Sequence, residues 1–189
     1  MNLRRILLDI LKPFSRMLAK FSVKRRISDK DFKAICKVIE HGDVLVTRRR
    51  FELSNIFIPG YYTHAGLYLV TGDHHQAIEA TSDGTTITSL GKFLFSKDYV
   101  AVLRPKFIRS KHEQSKIIDY AQGFKGLPYD YYFESDEDAF YCSELIWRVF
   151  RKACPTFRSF TARRYLGVET VVPQDFRDAS GYFETILEI

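Results

Sequence analysis

The sequence predicts an α+β domain in which helices flank an antiparallel sheet. Three observations carry that prediction. Short runs rich in β-branched and aromatic residues occur at 43–47, 61–70, 76–81, 85–88, 99–103 and 182–188. Some of these runs are joined by tight turns, at 71–75 and at Ser82-Asp83-Gly84, and tight turns connect antiparallel neighbours. Three other segments place apolar side chains three and four residues apart, the spacing of a helix with one buried face.

Taken in order, Ser28-Asp29-Lys30-Asp31 reads as a helix start, with Ser28 as cap and acids in the first turn. That helix should run to about Glu40 with Phe32, Ile35, Val38 and Ile39 inward, and stop at Gly42. Strands follow at 43–47 and 61–70, the second returning as 76–81 after a turn that holds His74 and His75. A further strand at 85–88 and one at 99–103, stopped by Pro105, complete the middle of the chain. Ser110 should open a helix to about Phe124, which Gly126-Leu127-Pro128 breaks. Cys142 to Ala153 has helical spacing, with Leu145, Ile146, Val149 and Phe150 on one side. Pro155 ends it, Pro173-Gln174-Asp175-Phe176 reads as a turn, and 182–188 as a last strand.

At 189 residues, 46% hydrophobic and 28% charged, the chain fits one globular domain. No run of 18 apolar residues occurs, so no spanning helix is expected. Three cysteines, Cys36, Cys142 and Cys154, are too few for a disulfide framework and favour a reducing compartment, so a cytoplasmic location is expected. Their spacing, and the adjacent His74-His75, form no metal pattern, and neither a phosphate loop nor a dinucleotide fingerprint is present. No cofactor is expected.

Net charge is +6, but it is unevenly placed. Residues 1–26 hold eight basic residues against Asp9 alone, or +7, leaving 27–189 at −1. A near-neutral globular part does not suit nucleic-acid binding, which needs basic residues spread over a docking face. Within 1–26, Leu3, Ile6, Leu7, Ile10, Leu11, Phe14, Met17, Leu18 and Phe21 would share one helical face and the basic residues the other, although Pro13 would kink or start such a helix. That pattern suits either a helix on an anionic membrane surface or a helix packed on the domain or a partner. The chain therefore divides into a basic amphipathic segment, 1–26, and a domain, 27–189.

One combination points to chemistry. Cysteine hydrolysis needs a thiolate, an imidazole to take its proton, and a group that orients the imidazole. Cys142 falls where a loop turns into an amphipathic helix, and a helix N-terminus favours the thiolate. Cys36 lies mid-helix and Cys154 at a helix end, without that advantage. His64, on a strand beside small residues, has a fixed ring with room for a substrate; His41, His74, His75 and His112 should be exposed. Glu79 lies on the return strand. If paired residues sum to 145, it faces Gly66 and sits diagonal to His64, about 7–8 Å away between α-carbons. A slip of one residue would put the two on opposite faces.

The segments Gly42-Asp43-Val44-Leu45-Val46, Thr63-His64-Ala65-Gly66-Leu67-Tyr68, Ala77-Ile78-Glu79-Ala80, Gly126-Leu127-Pro128-Tyr129-Asp130 and Tyr141-Cys142-Ser143-Glu144-Leu145 together resemble the YiiX/YebB-like branch of the NlpC-type cysteine hydrolases. These are circularly permuted papain-like enzymes with the chain order His, acid, Cys. The resemblance spans about residues 40–176. It implies Cys142 as nucleophile, His64 as base and then acid, and Glu79 as the residue that orients His64. It also implies cleavage of an amide bond in a small peptide or amino-acid conjugate. The Cys142 backbone N–H is a natural oxyanion donor, with Tyr62, Tyr129 or Tyr141 as the second. Glu134, Asp136, Glu137 and Asp138 would receive a cationic substrate group if their loop bordered the site, and would otherwise be solvated. Two other activities fit the same residues: a lipid-directed acyl hydrolase or acyltransferase, and a non-catalytic binding module.

Overall fold

The computed structural model describes residues 26–189 apart from 51, 53–54, 56–57, 109, 133–137, 158–159, 161–162 and 166–167. The amphipathic segment up to residue 25, and Glu134, Asp136 and Glu137, lie outside the described residues.

Six strands form one antiparallel sheet: β1 (Val44–Arg48), β2 (His64–Thr71), β3 (His74–Thr81), β4 (Gly84–Ser89), β5 (Tyr99–Pro105) and β8 (Phe183–Glu188). Their order across the sheet is β4-β3-β2-β1-β5-β8, so β2 and β1 lie at its centre. A separate two-stranded ribbon pairs β6 (Arg163–Tyr165) with β7 (Val168–Thr170). The helices are α1 (Asp29–Val38), α2 (Leu90–Leu94), α3 (Lys111–Gly123), α4 (Cys142–Ala153) and α5 (Pro173–Asp178). This is the α+β layout expected from the pattern.

Local chemistry sets the helix starts. Ser28 accepts from the Asp31 N–H while the Asp31 carboxylate takes the Ser28 N–H, and Ser110 and Glu113 repeat the arrangement at α3. Each box satisfies two amides that a helix leaves orphaned. At α4 the N-cap, Tyr141, makes no side-chain cap bond.

Alternation along the strands sends side chains to two cores. Val44, Val46, Ala65, Leu67, Ile78 and Ala80 face α3, α4 and α5, where Phe107, Phe150, Phe157 and Phe183 pack edge-on. Leu45, Tyr68, Ala77, Val100 and Val102 face Ile35 of α1 and Leu90, Phe93 and Leu94 of α2.

Several elements depart from the sequence pattern. The β2–β3 turn is only Gly72-Asp73, with Gly72 at φ +59, so His74 and His75 lie on β3 rather than at a turn tip. Both remain exposed, and His75 bonds the Tyr68 hydroxyl. His41 is half-buried, not exposed: Nδ1 accepts from Val70 N–H at 3.0 Å and Nε2 donates to the Gln114 carbonyl at 3.0 Å. Burial holds its pKa below the ordinary value. Residues 173–178 form a helix with Pro173 at its first position rather than a turn. The five-residue α2 and the β6–β7 ribbon were not legible.

A close approach fixes the chain ahead of α4. Gly84 (φ +98) lies under Leu127, where an added Cβ would meet the Leu127 carbonyl oxygen at 2.7 Å. Thr85 N–H donates to that same oxygen at 2.8 Å, and Tyr131 donates to the Ser82 carbonyl at 3.1 Å. Gly84→Ala is expected to cost about 2 kcal/mol or more, from backbone strain plus this contact. A urea titration should show a lower midpoint with an unchanged slope.

Candidate active site

His64 is the first residue of β2 and pairs with Thr47 of β1. The β2–β3 ladder runs from Leu67↔Ile78 to Thr71↔His74, every pair summing to 145. Continuing that register puts Glu79 across from Gly66, on the face that carries His64. His64 Nε2 and Glu79 Oε2 are 2.7 Å apart. Glu79 is only 8% exposed, so this bond is poorly screened.

The nucleophile candidate arrives from the other side of the sheet. Helix α4 packs on the α3/α4 face, and its first residue, Cys142, is 3% exposed. His64 sits at the strand end, where its ring reaches around to hydrogen-bond the Cys142 thiol; Ala65 N–H and Ser143 also reach the sulfur. With Nε2 held by Glu79, Nδ1 is the ring nitrogen left for sulfur.

Burial and the nearby Lys97 ammonium oppose protonation of His64, yet its bonds to Cys142 and Glu79 outweigh them and raise its pKa to about 9. Burial likewise opposes ionisation of Cys142, and the hydrogen bond and charge of His64 overcome it, holding the thiol below its ordinary value. Glu79 is buried too, but His64 and Lys97 keep its pKa low. The arrangement therefore favours ionised sulfur beside a protonated imidazole, with a carboxylate behind the ring. The other thiols lack this setting. Burial pushes Cys154 up to about 12, and Cys36 is an exposed residue of α1.

Two residues of this site were missed by sequence reasoning. Phe93 of α2 lies against His64 with centroids 5.9 Å apart. Gly66 makes room for it, since a Cβ there would stand 2.7 Å from the Phe93 ring. Lys97 sits 5.0 Å over that same ring and 3.9 Å from Glu79 Oε2. The basic residue three places after a short helix carries no periodic signal of its own.

Glu144, at the third position of α4, could have opposed the thiolate. Burial raises its pKa to about 7 despite the Arg148 bond at 3.1 Å, so it carries only part of a negative charge near neutrality. Of the predicted acidic group, Asp138 is described and exposed.

The three tyrosines separate cleanly. Tyr62 donates to Glu188 at 2.7 Å. The Tyr141 hydroxyl accepts from Thr170 Oγ1 at 2.7 Å and Val171 N–H at 3.3 Å. Tyr129 is held neutral by burial and then by the charge of Cys142.

A helix headed by cysteine, set against a strand histidine and its carboxylate on an antiparallel sheet, defines the permuted papain-like class. Residues 38–186 match the family described as permuted papain-like amidase enzyme, YaeF/YiiX, C92 family, and the chain belongs to that family. It is 29% identical over 94 residues to the uncharacterized protein YiiX of Escherichia coli K12, a match covering 49% of this chain and 46% of that one. The chain thus matches about half the length of that relative. Its fold is similar to that of the crystal structure of metalloprotein yiiX from Escherichia coli O157:H7. The TM-score is 0.67 at 21% identity, over 79% of this chain and 97% of that one. Among the described residues of this chain, no three His, Cys, Asp or Glu side chains cluster so as to hold a metal ion. Also among the described residues, no helix is long and apolar enough to cross a membrane.

Proposed function

We propose that this chain is a cysteine amidase that cleaves a peptide or amino-acid amide through Cys142, His64 and Glu79. The observation that carries the reading is the His64 ring, bonded at once to the Cys142 thiol and to Glu79.

The thiolate attacks the substrate carbonyl carbon. A C–S bond forms and the C=O pair moves onto oxygen. The Cys142 N–H, at the first helical position, has no intrahelical acceptor and is available to that oxyanion. Tyr129 O–H supplies the second donor. The C–N bond then breaks as imidazolium His64 gives its proton to the leaving amine. Neutral His64 next takes a proton from water, which attacks the thioester. The C–S bond breaks, the carboxylic acid leaves and ionises in solvent, and the thiolate–imidazolium pair is restored. Glu79 keeps the Nε2–H throughout and orients the ring.

The test is to trap the acyl-enzyme. Incubation with small peptide amides or activated amino-acid esters, quenched in acid, should give one added acyl mass on the peptide containing Cys142. Label on Cys36 or Cys154 instead, or none with any acyl donor, would overturn the reading. Tyr129→Phe removes only the hydroxyl and should lower kcat on the order of 10²-fold with little change in KM. Steady-state kinetics read that split.

A further inference from the structure

We propose that the face at the open end of β1, built from Arg48, Arg50, Tyr61 and Tyr99, docks on an anionic phospholipid membrane beside the catalytic centre. The face adjoins the site. Thr47 pairs with His64, Arg48 follows it and pairs with Tyr99, and the Asp98 N–H donates to the Arg48 carbonyl at 3.0 Å. With strands about 4.8 Å apart and about 3.3 Å per residue, the Arg48 backbone lies within about 10 Å of His64.

Its composition is that of an interfacial contact. Tyr61 is 46% exposed and holds an edge-on contact with Tyr99 at 5.6 Å. Arg48 rests 5.0 Å over the Tyr61 ring and Arg50 5.2 Å over that of Tyr99. Arg48 also donates one N–H to the Tyr61 carbonyl, and Arg50 donates through Nε and Nη2 to the Tyr99 hydroxyl, so each guanidinium is held on this face with some of its five N–H donors left over for phosphate. Aromatic rings with a polar tip, set among cations, sit well at the headgroup level. Asp98 and Glu188, close by, are both occupied by partners. Asp98 is 2% exposed and takes the Arg50 backbone N–H at 2.6 Å; Glu188 is exposed but engaged, accepting from Tyr62 and paired with Arg177 at 3.0 Å.

The sequence argues for lipid rather than nucleic acid as the occupant. Residues 1–26 carry +7 together with nine apolar side chains at helical spacing. A phosphate backbone has no use for that apolar set, whereas an acyl boundary does. The segment joins the fold at this same place: Ile27 N–H donates to the Lys97 carbonyl at 2.9 Å. A substrate held at a bilayer against the Arg48–Arg50 face would be presented to the adjoining site.

The experiment is co-sedimentation of the full chain with phosphatidylcholine vesicles, with and without one-third phosphatidylserine. Binding is expected only with phosphatidylserine and should fade at 0.5 M salt, where exposed charges are screened. Arg48→Glu with Arg50→Glu should weaken it at least tenfold. Arg50→Gln and Tyr61→Ala, at exposed positions, should each weaken it severalfold and serve if the double variant fails to fold. Cys142→Ala should bind like the wild type, which keeps this result separate from catalysis. Equal binding to both vesicle types, no binding, or variants that bind unchanged would overturn the proposal. So would tight capture of a duplex oligonucleotide with no affinity for vesicles.

Discussion

Replacing Cys142 with alanine is expected to lower amide turnover on the order of 10⁴-fold or more, with the fold intact. The side chain is small and 3% exposed, so losing one sulfur leaves little void. Circular dichroism and a thermal melt should be near those of the wild type. His64→Ala should lose almost as much, for a different reason. It leaves the sulfur in place but removes the charge and hydrogen bond that hold the thiol below its ordinary value. A thiol near its unperturbed pKa is only a few per cent ionised at neutral pH, so alkylation of Cys142 by iodoacetamide should slow about tenfold or more. Cys154, pushed up to about 12 by burial, is the internal control and should be inert in both proteins. Because the two residues act as one device, the double variant should be no slower than the worse single variant. Multiplied losses, or an alanine variant keeping a tenth of the activity, would sink the assignment.

The sequence pattern reached the fold and part of the site for identifiable reasons. Glu79 could be placed against His64 because the hairpin is short and its two faces bury different side chains, which locks register; the turn is two residues, but the pair sum of 145 is unchanged. Cys142 could be placed at a helix start because Leu145, Ile146, Val149 and Phe150 are all fully buried on one side of α4. Lys97 and Phe93 were out of reach. They belong to a five-residue helix and the turn after it, too short for a period, and they meet His64 only because the sheet order brings β3 beside β2. The different settings of Tyr62, Tyr129 and Tyr141 likewise depend on long-range partners: Glu188 for the first, Thr170 for the last, and the Gly84–Leu127 contact that anchors the segment leading to Tyr129. His41 read as exposed because it follows a helix, yet α3 covers it through Gln114.

The pH dependence of kcat/KM should be a plateau whose alkaline limb lies near the His64 value of about 9. Below it the imidazolium can give its proton to the leaving amine; above it that proton is gone. The acid limb marks protonation of the thiolate and should lie below the ordinary thiol value, since His64 stabilises the ionised sulfur. Both limbs belong to the pair rather than to either residue alone. Two substitutions should move the alkaline limb in opposite directions. Glu79→Gln retains an oxygen for the Nε2–H but removes the negative charge. Imidazolium is then less favoured, the limb moves down, and kcat at neutral pH should fall on the order of tenfold. Lys97→Met removes the ammonium 3.9 Å from Glu79, which opposes protonation of His64. The limb should move up, while Lys97→Arg should leave it near the wild-type position. The signs discriminate because a general loss of packing would shift both limbs alike or lower the plateau without moving either. If Glu79→Gln and Lys97→Met displaced the limb in the same direction, the carboxylate would not be tuning the imidazole, and the electrostatic account of the site would fail.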